Sequence, residues 1–108
     1  MDFKIFEKQL IKTYSLSDCK FALDDCKMIF LEYFKEYQVF TGKEHPPLRT
    51  SKLIELLNVI DGDGLFEPTD YPYLIESYFN TAFKGCDYNI CHFFSGRVRE
   101  LRFFETCY

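Results

Sequence analysis

The sequence lacks any long apolar run, and this absence limits the class of protein. No stretch approaches the roughly 20 apolar residues that a membrane-spanning helix needs. The first residues also contain no uninterrupted apolar segment of the kind found in secretory signals. No Asn-x-Ser/Thr acceptor for glycosylation occurs. We therefore expect no membrane partner and a cytoplasmic location.

Groups that usually carry catalysis are scarce. The chain has two histidines, no glycine-rich phosphate loop, no His-Glu-x-x-His motif and no nucleophile elbow. His45 lies in a Pro-Pro connector. His92 could serve as base to a cysteine nucleophile, but no nucleophile signature surrounds Cys86 or Cys91. We therefore predict that the protein is not an enzyme and needs no cofactor.

Aromatic residues are the most unusual feature that is present. Thirteen Phe and eight Tyr make up 19% of the 108 residues, and Trp is absent. A chain of this length fits a single domain over 1–108, whose core has limited room for so many rings. We therefore predict that some rings lie on the surface, where Tyr supplies contact area for a partner.

Negative charge is concentrated in one part of the chain. Residues 51–83 contain a single basic residue, Lys52. The sequence as a whole has a net charge of -4. This balance argues against a general nucleic-acid binder, because neutralising phosphates supplies most of the non-specific affinity. It favours a partner with a basic surface.

Apolar residues recur at helical spacing over most of the chain. The pattern predicts a first helix over 2–14 and one long helix near 17–41. Ser17-Asp18 is the predicted N-cap of the long helix, and Gly42 is its predicted stop.

Four further helices are predicted beyond the Pro-Pro connector. The third begins at a Thr50 or Ser51 cap and ends in the turn 61–64. The fourth is capped by Thr69-Asp70, and its inward-facing apolar residues continue to Phe83.

The last part of the chain predicts a helix over 88–95, capped by Asp87, and another over 97–106. An alternative interpretation makes Phe93–Phe104 a β-hairpin that turns at Ser95-Gly96. The predicted fold is therefore mostly all-α, a compact bundle of five to six helices, with an α+β fold as the alternative.

One loop resembles the calcium loops of EF-hands and dockerins. Those loops place oxygen ligands at defined positions around a central glycine. Residues 59–70 match several of these positions, but Val59 stands where the first carboxylate belongs. We interpret the segment as a glycine turn followed by a helix cap.

Five cysteines form an odd set, and we expect them to be thiols that behave mostly as small apolar residues. A zinc site is the alternative for some of them. Its candidate ligands are Cys86, Cys91, His92 and Cys107. Their spacing matches no known zinc motif, so we predict no metal.

A second function class competes with protein binding. The stretch Tyr71–Phe94 can be drawn as helix, glycine-containing turn and helix, which is the outline of a helix-turn-helix. Arg97, Arg99 and Arg102 could then contact phosphates. Mixed charge on the same segment weakens this DNA-binding interpretation.

Protein binding is the function that the sequence favours. Small, acidic, aromatic-rich chains of this kind resemble many inhibitors encoded by phages and mobile elements, anti-CRISPR proteins among them. The resemblance implies carboxylates that stand in for phosphates, with tyrosines as anchors. The residues predicted to contact the partner are Asp61, Asp63, Glu67, Asp70, Tyr71 and Tyr73.

Overall fold

The computed structural model describes residues 2–61, 64 and 66–95, and this part of the chain contains five α-helices. They are α1 (Phe3–Tyr14), α2 (Leu23–Thr41), α3 (Thr50–Val59), α4 (Tyr71–Phe79) and α5 (Ile90–Phe93), with a 3₁₀ helix at Pro68–Asp70. No strand occurs in these residues, so the predicted all-α class is confirmed. The alternative hairpin would begin at Phe93, which is helical, and its positions 96–104 lie outside the described residues. The predicted helix over 97–106 also lies outside them.

Helix α1 forms where the sequence predicts it. The Asp2 carboxylate accepts a hydrogen bond from the Lys4 backbone N–H at 2.8 Å, which caps the helix start. Phe6 and Leu10 recur at helical spacing and are buried. This apolar side attaches the helix to the core.

The predicted long helix is confirmed as α2, but it begins at Leu23. Residues 15–22 form a loop instead, because side chains form hydrogen bonds with backbone groups in and next to this segment. The Ser17 hydroxyl donates to the Tyr14 carbonyl, and the Asp18 N–H donates to the Asn58 side chain at 2.9 Å. The helix ends as predicted at Gly42, which adopts a left-handed φ of 72° and donates its N–H to the Gln38 carbonyl.

The later helices also differ from the prediction at their ends. Helix α3 has Arg49 at its N-cap, with no side-chain hydrogen bond, so neither Thr50 nor Ser51 caps it. Helix α5 is capped by Asn89, whose side chain accepts from the Cys91 N–H at 2.9 Å. Asp87 accepts from the Asn89 N–H one step earlier.

Helix α4 stops at Phe79 rather than Phe83, and Tyr88 is the physical reason. The Tyr88 hydroxyl accepts from the Phe83 N–H at 3.2 Å and donates to the Thr81 carbonyl at 2.9 Å. These bonds take residues 81–83 into a loop folded around one phenol.

Helix α2 is the centre of the core. Helices α1 and α4 both pack against it, and α3 packs against α1. The Cα radius of gyration of 13.2 Å is close to the about 13 Å expected of a folded chain of roughly 100 residues. None of the described helices combines the length and apolarity needed to cross a bilayer.

Most of the described aromatic rings lie inside this bundle. Tyr33 is fully buried, with its ring centroid 5.1 Å from that of Phe79 and 5.2 Å from that of Phe93. Among the described rings, only Phe40 and Tyr73 are exposed. The prediction that some rings lie on the surface therefore holds for these two, while most of the other described rings pack against one another in the core.

Candidate functional site

The two tyrosines predicted as partner anchors lie on opposite sides of α4. Tyr73 is 59% exposed, whereas Tyr71 is 1% exposed and donates its hydroxyl proton to the Ile60 carbonyl. The Tyr71 ring is part of the core and cannot reach a partner. Its assignment as an anchor is corrected, and Tyr73 is the tyrosine that the structure presents.

The predicted acidic contacts are also divided. Asp61 is only 6% exposed, so burial removes it from the candidate surface, and Asp63 lies outside the described residues. Asp70 accepts from the Glu67 N–H at 2.8 Å, and the Glu67 side chain accepts from the Asp70 N–H in return. This reciprocal pair is a capping box that holds the 3₁₀ turn in front of α4.

An exposed face of α4 remains as the candidate site, and we call it the α4 acidic surface. Tyr73, Glu76 and Asn80 recur at helical spacing and are exposed together, and Pro72 and Glu67 are exposed at and before the start of the helix. No Lys or Arg occurs from position 53 to position 83. The surface therefore combines one exposed aromatic ring with negative charge that no basic residue of this segment offsets.

A thiol, an imidazole and a phenol meet beside this helix. Cys86 Sγ lies 3.2 Å from His92 Nδ1, and the Tyr78 hydroxyl lies 2.8 Å from the same nitrogen. The Tyr88 N–H donates to Cys86 Sγ at 3.1 Å. Sequence reasoning named Cys86 and His92 as a pair but missed Tyr78 and Tyr88, because nothing in the spacing indicates that the loop 80–89 folds back.

The geometry of this cluster favours a structural role for Cys86. Burial, followed by the hydrogen bond with Cys86, raises the pKa of Tyr78 above its ordinary value, so the phenol keeps its proton as a donor. Tyr78 and Cys86 both contact His92 Nδ1, and the sulfur also accepts from the Tyr88 N–H, so Cys86 is one member of a hydrogen-bonded cluster that holds the loop against α4.

The predicted metal alternatives gain no support from the described residues. No group of three His, Cys, Asp or Glu in this part of the chain could hold a metal ion. Cys91 is half-buried, burial raises its pKa, and its charged neighbours are Lys52, Glu55 and Asp87. Cys107, and Asp63 of the calcium-like loop, lie outside the described residues.

The outline of a helix-turn-helix is not seen where it was predicted. Helix α4 ends at Phe79, the connection runs over 80–89, and α5 has four residues. A four-residue helix is too short to lie along a groove as a recognition helix. The three candidate arginines lie outside the described residues.

A small cavity lies between α1, α2 and the connector. Its volume is about 140 Å³ and its lining includes Phe3, Phe34 and His45. Sites for small molecules usually measure about 300–1,000 Å³. The cavity is therefore too small for an ordinary substrate or cofactor.

Comparison of the chain with protein-family models, with curated proteins and with solved structures gave no match.

Proposed function

We propose that the protein is a small binding module, an adaptor or inhibitor whose partner is a protein with a basic surface. The observation that carries this proposal is the exposed Tyr73 ring on the α4 acidic surface. A ring with a polar tip can desolvate against a partner and still satisfy its hydroxyl, and such residues supply a large share of binding energy at interfaces.

The charge of the surface supports the same partner class. Carboxylates in a segment that contains no Lys or Arg accelerate encounter with a positive patch and disfavour acidic partners. Glu76 is exposed beside Tyr73, so the ring and the charge would meet a partner together. Arginine is the complementary residue, because it both pairs with carboxylates and stacks on aromatic faces.

Inhibition of a nucleic-acid-binding protein is the specific form that we propose. A surface built to hold phosphates through arginine and lysine also accepts carboxylates. The proposal includes the likeness to inhibitors encoded by phages and mobile elements, anti-CRISPR proteins among them. It also includes a cytoplasmic location.

Titration with an arginine-rich peptide tests the proposal. We expect salt-dependent binding by the unaltered protein, and weaker binding by Tyr73→Ala and by Glu76→Lys. Asp24→Lys is the matched control, because Asp24 is exposed on α2 and the charge change is the same. The proposal fails if Asp24→Lys and Glu76→Lys weaken the affinity equally and Tyr73→Ala leaves it unchanged.

DNA binding is the alternative function, and an exposed row of lysines on α1 gives it one specific observation. Lys4, Lys8 and Lys12 are spaced four residues apart on one side of the helix, and all three are exposed. Salt-dependent binding to a duplex, lost when Lys4, Lys8 and Lys12 are replaced together, would promote this alternative.

A further inference from the structure

Two thiols lie side by side where the loop 15–22 meets α2. Cys19 Sγ is 3.5 Å from Cys26 Sγ. Cys26 is fully buried near the start of the helix, and Cys19 is partly exposed in the loop. One cysteine of the pair is therefore partly accessible to solvent, and its neighbour is held beside it in the core.

The environment makes the exposed sulfur the stronger nucleophile of the two. The hydrogen bond with Cys26 lowers the pKa of Cys19 and raises that of Cys26, whose burial acts in the same direction. The other ionisable groups facing the pair are Tyr14, Asp25 and Asp61, and both carboxylates oppose thiolate formation. The thiolate is the form that attacks oxidants.

We propose that Cys19 and Cys26 form a redox-active dithiol that hydrogen peroxide converts into an intramolecular disulfide. In the first step the Cys19 thiolate attacks one peroxide oxygen, the O–O bond breaks, and the hydroxide that leaves takes a proton to become water. Cys19 is then a sulfenic acid. In the second step Cys26 sulfur attacks Cys19 sulfur, the S–O bond breaks, and the Cys26 proton leaves with the hydroxyl group as a second water.

The loop geometry permits this bond. A disulfide has a length of about 2.05 Å, so the sulfurs must approach from their 3.5 Å separation. Cys19 lies outside the helices, and its N–H is held by the Ser17 hydroxyl at 3.3 Å. A loop held by side-chain hydrogen bonds can shift at less cost than a helix packed in the core.

The same chain supplies a matched control thiol. Cys91 is also partly exposed, but burial raises its pKa. No hydrogen bond joins its sulfur to another described thiol. Cys91 should therefore react more slowly than Cys19, although both can be reached from solvent.

Peptide mapping after peroxide treatment tests the proposal on the full chain. Trypsin cleaves after Lys20, which lies between the two cysteines, so the disulfide joins peptides 13–20 and 21–27. We expect this linked pair to be the first oxidation product, and reductant to separate it. Oxidation of Cys91 ahead of the pair, or Cys19 converted to sulfinic acid with no link to Cys26, would overturn the proposal.

The order of the two steps has its own test. In Cys26→Ala the second step is blocked, so we expect a Cys19 sulfenic acid that dimedone traps. In the unaltered protein, alkylation of Cys19 at neutral pH should be at least about tenfold faster than that of Cys91, because one pKa unit changes the thiolate fraction about tenfold. Equal alkylation rates would contradict the assignment of Cys19 as the attacking sulfur, and this comparison requires no variant to fold.

Discussion

At the scale of single residues, buried polar side chains hold loops against the core. His45 is 2% exposed. Its Nδ1–H donates to the Pro46 carbonyl at 2.8 Å, and its Nε2 accepts from the Ile90 N–H at 3.0 Å. These two bonds require the neutral imidazole, and they join the connector after α2 to the start of α5. Nothing in the sequence around His45 indicates that its side chain bonds to Ile90, which lies 45 residues further along the chain.

The stability of the protein should fall as acid titrates His45. Burial lowers the pKa of His45 below its ordinary value of 6.5, against the opposing effects of the Pro46 carbonyl and Asp87. The unfolded chain therefore binds the proton first. The contribution to stability is complete above about pH 6.5 and is lost as the pH falls through the folded pKa.

Urea denaturation of the unaltered protein and of His45→Gln, at about pH 7.5 and about pH 5, measures this effect. Glutamine can still accept from Ile90 but cannot be protonated in this range. We expect a smaller loss of unfolding free energy on acidification in His45→Gln. An equal loss in both proteins would show that other groups account for the pH dependence.

Cys86 should matter for stability through its hydrogen bonds. Its sulfur accepts from the N–H of Tyr88, whose backbone has a φ of 60°, a conformation that costs a non-glycine residue about 1–2 kcal/mol. Cys86→Ala should lower the free energy of unfolding by about 1–2 kcal/mol, because the Tyr88 N–H loses its acceptor. Cys86→Ser should lower it less. Equal stability of all three proteins, measured in urea, would remove this role for the sulfur.

At the scale of elements, the sequence predicts helices better than it predicts where they begin. Apolar spacing located α1 to α4, since each must bury one side. Gly42 ended α2 as predicted because a left-handed residue there satisfies the last carbonyls. The start of α2 could not be predicted, since Ser17 and Asp18 bond to partners outside the predicted helix, Asn58 among them.

The turn before α4 should depend on its capping box. Asp70→Ala removes the acceptor of the Glu67 N–H, and loss of a cap of this kind costs about 1 kcal/mol. Glu76→Ala, on the exposed side of α4, should change stability by less than about 0.5 kcal/mol. Thermal or urea unfolding of the two variants checks this difference. Equal effects would mean that the turn does not need the pair.

The same reasoning shows which part of the candidate site the sequence could supply. It located the acidic segment and Tyr73, because charge and residue type are visible without a fold. It could not separate Tyr73 from Tyr71, since both lie near the start of one helix and only packing decides which ring is buried. Glu67 and Asp70 were interpreted as contacts with a partner, although their shared capping box fixes the turn.

At the scale of the whole molecule, ring-on-ring packing and uneven charge are the two dominant features. The described rings mostly fill the interior around α2, so aromatic content by itself does not indicate a binding surface. Among the described rings, Phe40 on α2 and Tyr73 on the α4 acidic surface are the exposed ones, and exposed lysines lie along α1. The binding proposal therefore depends on one face of the protein and not on its composition.

Mapping amide chemical shifts during titration with an arginine-rich peptide tests that dependence most directly. The account predicts that the shifts concentrate between Glu67 and Asn80, follow the exposed side of α4, and shrink when Tyr73→Ala replaces the unaltered protein. Shifts spread evenly over the acidic residues of the chain, with Tyr73→Ala behaving like the unaltered protein, would contradict it.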